Sequence, residues 1–260
     1  MAGPPFAVRL ALGASLASRG AMIKVAAVFA LLTALGGVAI ALSLARKGSS
    51  VALADLPAAM ARVLAWGPAL LAAIAASSRA FEEDRARGIR ALLHARGGSA
   101  SVYAWTRALG FALLLAALVS GGTLLTGAVA ILGSEETGRA FAVLVASLVY
   151  GVAYAAIVAP LALAALGGRG RGVGTMGFLA LLVVPDQLLR WTSRLLPGRW
   201  GNLLSVPSIL AELRHSLVPS FDAAGLGRAV FGLAVLGLLV GFVLRSEVAR
   251  FDAARDEALP

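Results

Sequence analysis

Six stretches of this sequence run with almost no charge for about the length a helix needs to cross a hydrocarbon core, roughly 20 residues for about 30 Å. They are Met22–Leu44, Ala61–Ser78, Ala108–Leu132, Ala140–Leu166, Val173–Leu189 and Leu226–Leu244. Their surface exceeds what one water-soluble core of 260 residues would cover, since the chain is 60% hydrophobic, 14% charged and has a mean hydropathy of +0.89. The expected fold class is therefore an all-α integral membrane protein with six transmembrane helices. The second stretch carries Arg62 at its start and contains Pro68, and the fifth is short and ends at Pro185-Asp186.

A signal peptide is the competing reading of the N-terminus, but the run after Lys24 is too long for its apolar centre. Between residues 6 and 19, Phe6, Leu10, Leu12 and Leu16 alternate with Arg9, Ser15, Ser18 and Arg19. This pattern predicts an amphipathic helix lying on the membrane surface.

Net charge is +10, with 23 Lys and Arg against 13 acids. The basic residues punctuate the apolar stretches and form no single face, so they fit loops near anionic headgroups and not nucleic-acid binding. With six spans both termini share a side, and that side holds 14 of the 23 basic residues, among them Arg9, Arg19, Arg79, Arg85, Arg87, Arg90, Arg96 and Arg107. The positive-inside bias then places both termini in the cytoplasm. Cysteine is absent, which excludes disulfides, thiolate metal sites and a cysteine nucleophile.

The loop 79–107 carries the most information. Its charge is concentrated in Arg79–Arg90, and Phe81, Ile89, Leu92 and Leu93 recur through it at helical spacing. Gly97-Gly98 breaks that helix, and Ser99 or Ser101 can cap a following one. The pattern predicts two short surface helices hinged by glycine, with Glu83 and Arg87 placed for a stabilising pair.

The order of residues here resembles the membrane subunits of ABC type-2 transporters, in which a Glu, a Gly, a Leu-rich stretch, a break and a basic residue follow the second span. Glu82 or Glu83, Gly88, Leu92-Leu93, Gly97-Gly98 and Arg107 hold those places, with Arg107 where Lys is usual. The surface helix, the six spans and the long segment 190–225 extend the resemblance over most of the chain. It implies a permease subunit, of an exporter, in a bacterial inner membrane, paired with a second permease copy or homologue and served by periplasmic accessory proteins. It also implies a separate cytoplasmic ATPase subunit that docks on the loop and on the surface helix. Glu82, Glu83, Gly88 and Arg90 would couple to that partner, with Arg9 and Arg19 supporting it. Segment 190–225, amphipathic between Leu203 and Leu217, would form re-entrant helices at the outer face.

The chain's own chemistry agrees with this division. The glycine-rich Gly167–Thr175 has no Lys-Ser/Thr where a phosphate-cradling loop needs it, and is expected to be a flexible turn. ATP and Mg would be bound by the partner, and no cofactor or metal is expected here. The rival reading is an intramembrane protease of the CAAX type, whose paired glutamates would be Glu82/Glu83. It lacks the later histidines, because His94 and His215 are both assigned to loops. Trp66, Trp105, Trp191 and Trp200 fall near span ends and are expected to be interfacial anchors. The spans hold no ionisable group at their centres, which favours an amphipathic or polymeric cargo over a small ion.

Overall fold

The computed structural model describes residues 6–18, 20–89, 99–168, 171–192, 205–218 and 220–256, and among them every regular element is a helix. In order these are α1 (Phe6–Ala17), α2 (Ala21–Arg46), α3 (Ser50–Ser77), α4 (Ala80–Ala86), α5 (Ala100–Gly133), α6 (Thr137–Leu166), α7 (Arg171–Thr192), α8 (Val206–His215) and α9 (Ala223–Asp256).

Among the described residues five helices are long and apolar enough to cross a membrane: Ala21–Arg46, Ser50–Ser77, Val102–Gly133, Thr137–Leu166 and Ala223–Arg250. The sixth expected span is also helical, as α7, but its described apolar part, Gly174–Leu188, is shorter than the others. Asp186 near its end accepts hydrogen bonds from the hydroxyls of Ser208, at 3.0 Å, and Ser205, at 3.2 Å, which ties α7 to the start of α8.

Small residues set the packing, as expected where no water drives helices together. α5 lies at the centre against α1, α2, α3 and α6, and α6 also meets α7, α8 and α9. A Cβ at Gly122 of α5 would come within 2.6 Å of Leu64 in α3, and one at Gly37 of α2 within 2.7 Å of Met60 and Thr126. Thr123, Thr126 and Ser147 turn their hydroxyls back onto carbonyls of their own helices, so the apolar interior meets little unpaired polarity. The outer surface is strongly apolar, with Val25, Phe29, Leu32, Leu238 and Phe242 all exposed, which suits lipid as solvent.

Several sequence expectations change. The second span begins at Ser50, not Ala61, so Asp55 and Arg62 lie inside the helix, where Asp55 meets Arg139 of α6. Pro68 is absorbed by one π turn, Ala65–Ala69, which removes the conflict between its ring and the carbonyl one turn back. Residues 100–107 form no separate surface helix: capped by the Ser99 hydroxyl, which accepts from the Val102 amide at 3.4 Å, they open the 34-residue α5. Arg171–Thr175 are helical, so any turn is confined to the residues before them. Trp66 sits within α3 and donates to the Tyr150 hydroxyl at 2.8 Å, so its indole N–H is taken up inside the bundle. Trp200 and His94 lie outside the described residues, and His215 closes α8 instead of lying in a loop.

Candidate functional site

Two ends of the bundle can be told apart. At one lie α1, α4, the start of α5 and the end of α6; at the other lie the α2–α3 and α5–α6 turns and α8. Of the sequence-predicted residues, Glu82, Glu83, Gly88 and Arg9 belong to the first.

α3 stops at Ser78, whose hydroxyl bonds back to the Ile74 carbonyl at 2.7 Å, and Arg79 then takes a left-handed conformation with φ 59°. A non-glycine residue there is uncommon and must be held by its surroundings. The hold is visible. The Arg79 amide donates to the Leu166 carbonyl at 3.2 Å and the Phe81 amide to the Gly167 carbonyl at 3.0 Å, so the chain leaving α3 is stitched to the end of α6. Phe81 is fully buried against Gly167, with its ring edge-on to Tyr103 at 6.1 Å.

One turn later the same face of α4 carries Asp84, which is 1% exposed. It accepts a hydrogen bond from the Tyr103 hydroxyl at 2.7 Å and lies 3.2 Å from Nε of Arg107, itself 4% exposed. Tyr103 and Arg107 are four residues apart and therefore on one face of α5. Phe81 and Asp84 thus anchor α4 to α5 and α6 together. A buried charge pair of this type is costly to break, because each charge alone would be stranded in a low-dielectric interior. Nη1 of Arg107 is buried and has no hydrogen-bond partner among the described residues.

The opposite face of α4 is open. Glu82 and Glu83 are half exposed and pair loosely within their own segment, with Arg79 at 3.8 Å and Arg87 at 3.7 Å. Exposed pairs of this length contribute little to stability. Gly88 follows with φ 69° and open space around it, so glycine is needed there for its backbone and not for room. Of the other expected residues, Arg90 and Arg19 lie outside the described residues, and for Arg9 only its place in α1 is described.

α1 reaches the same end by close backbone contact. A Cβ on Gly13 would collide with the Thr106 carbonyl and with Gly110, and one on Gly110 with the backbone of Gly13 and Ala14, so the two helices touch through glycine. That contact lies within one turn of Arg107.

The residue that sequence reasoning passed over is Asp84. The signal was present, since Asp84 is three residues after Phe81 and so shares its helix face, whereas Glu82 and Glu83 do not. Among the described residues no histidine lies beside Glu82 and Glu83, and His94 falls outside the described residues. Glu82 and Glu83 follow the end of α3, while His215 lines a cavity with Asp55 near the start of that 28-residue helix, so these groups cannot share one active centre. Among the described residues no cluster of acids and histidines could hold a metal ion. The contacts tie α4 to both α5 and α6 at this end of the bundle. No protein-family model matches the chain, and no curated protein does so either.

Proposed function

We propose that the chain is the membrane subunit of an ABC type-2 transporter, an exporter powered by a separate cytoplasmic ATPase subunit. The observation that carries this reading is the division of α4 into two faces, with Phe81 and Asp84 locked into the bundle and Glu82 and Glu83 left to solvent. A partner bound to the exposed carboxylates would move α5 and α6 with α4, because the buried Asp84–Arg107 pair ties α4 to α5 and the Arg79 and Phe81 amides tie it to the end of α6. α1 adds a second handle at the same end, fixed through Gly13 and Gly110.

In this reading α7 is the fifth of six spans, α8 belongs to a re-entrant outer segment, and both termini are cytoplasmic in a bacterial inner membrane. A second permease copy completes the pathway, and ATP with Mg resides in the partner.

The test is to purify the chain from its native membrane in mild detergent and assay ATP hydrolysis in the wild type and in Glu83→Arg. Co-purifying turnover that falls several-fold in the variant, with membrane insertion unchanged, supports coupling through α4. Absence of any co-purifying ATPase, or turnover indifferent to the substitution, refutes it.

A further inference from the structure

At the other end of the bundle, α3, α6 and α8 enclose a cavity of about 260 Å³ that the transporter reading does not use. α3 contributes Asp55 and Arg62, seven residues apart and hence on one face, α6 contributes Arg139, and α8 contributes Arg214 and His215.

The charges do not balance. Asp55 is the one acid in the lining, and both its oxygens are taken by Nη2 of Arg139, at 2.9 and 3.1 Å. Among the described residues Arg62 reaches only the carbonyl of Ala58 in its own helix, 3.3 Å from Nε, and Arg214 places Nη2 3.2 Å from Nε2 of His215. Neither Arg62 nor Arg214 meets a carboxylate among the described residues. Burial and the neighbouring Arg62 push the Arg214 guanidinium below its ordinary range, and burial with Arg214 and Arg62 does the same to His215. Arg214, half-buried, and Arg62, exposed at the mouth of the cavity, are held near one another against mutual repulsion and leave a positive potential that an anion would relieve.

The rest of the cavity is apolar, with Ala58, Val143, Ala146 and Val218, and Val63, Phe141 and Val145 alongside are exposed on the surface that faces lipid. We infer that this cavity binds the phosphate of an anionic phospholipid, with Arg62 and Arg214 on the headgroup and the acyl chains lying along α3 and α6. Arginine suits the task because its planar fork can hold two phosphate oxygens at once. The inference is independent of the transport reading, since a bound lipid needs no ATPase.

Native mass spectrometry of the delipidated protein tests it, with dioleoyl phosphatidylglycerol and dioleoyl phosphatidylcholine as probes. The expected result is one phosphatidylglycerol retained in preference to phosphatidylcholine. Its affinity falls about fivefold for each of Arg62→Gln and Arg214→Gln, consistent with the usual worth of one arginine near an anionic lipid, and Arg245→Gln, an exposed arginine on α9, changes nothing. Equal retention of the two lipids by the wild type overturns the proposal even if a variant fails to fold. So does an equal loss in Arg245→Gln. Displacement of phosphatidylglycerol by millimolar inorganic phosphate also overturns it, because the ligand is then a soluble anion.

Discussion

The Tyr103 hydroxyl and the Asp84 carboxylate meet at 2.7 Å in a buried site, with Arg107 closing the other side at 3.2 Å. Removing one partner from such a pair leaves the other charge uncompensated, at a cost of about 3–5 kcal/mol. Asp84→Ala is therefore expected to lower the thermal midpoint in detergent sharply. The double variant Asp84→Leu with Arg107→Met removes both charges at similar volume and should recover most of the loss. Additive loss in the double variant would mean that the two residues act separately.

Gly13 and Gly110 define the seat of α1. Gly110→Leu places a side chain where the backbone of α1 now runs, and overpacking of this kind costs about 1–3 kcal/mol. The energy is released most cheaply by detaching α1, which packs mainly on α5. Proteolysis should then cut near residues 18–20 in the variant while the spans stay protected. Unchanged resistance of α1 would show that the helix is held by other contacts.

Tyr154 is fully buried, with its ring edge-on to Trp66 at 5.4 Å, and its hydroxyl has no partner among the described residues. An unsatisfied buried hydroxyl destabilises, so Tyr154→Phe should keep the ring contact and raise stability by about 1 kcal/mol. The neighbouring Tyr150 behaves oppositely. It accepts from the partly buried Trp66 indole, so Tyr150→Phe leaves that donor without its partner and should lower stability by up to about 1 kcal/mol. Thermal unfolding of the two variants side by side reads the contrast directly.

These contacts explain how far the sequence could be read. Uncharged runs located α2, α5, α6 and α9 well, because lipid selects on composition averaged over a whole helix and few local choices can disturb that average. The start of α3 was missed because Asp55 and Arg62 resemble the end of a span until Arg139, far along the chain, is known to face Asp55. In the loop after α3, the positions of Glu82, Glu83 and Gly88 were legible, but their roles depended on which side of a two-turn helix packs inward. Only tertiary contact distinguishes the anchored Asp84 from its two solvent-facing neighbours. The cavity at the far end was not legible at all, since its charges come from three segments and none forms a local pattern.

His215 gives that cavity a pH dependence whose sign can be worked out. Burial, Arg214 and Arg62 lower its pKa from the ordinary 6.5, so protonation is disfavoured in the folded protein. The stability this group allows is present above pH 6.5 and is lost as pH falls below it. The charged groups lining the cavity with it are Asp55 and Arg62 from α3, Arg139 from α6 and Arg214 on α8, and Arg139 is shared between Asp55 and, at 3.4 Å, Glu136. A bound phosphodiester adds a negative charge that does not titrate in this range, which offsets the repulsion and raises the pKa of His215. Binding therefore takes up a proton, and the affinity for phosphatidylglycerol should increase as pH falls through the region just below 6.5. His215→Gln should flatten the profile while keeping the affinity seen at pH 8. A wild-type profile that is flat, or that weakens on acidification, would show that the imidazole does not face the bound phosphate.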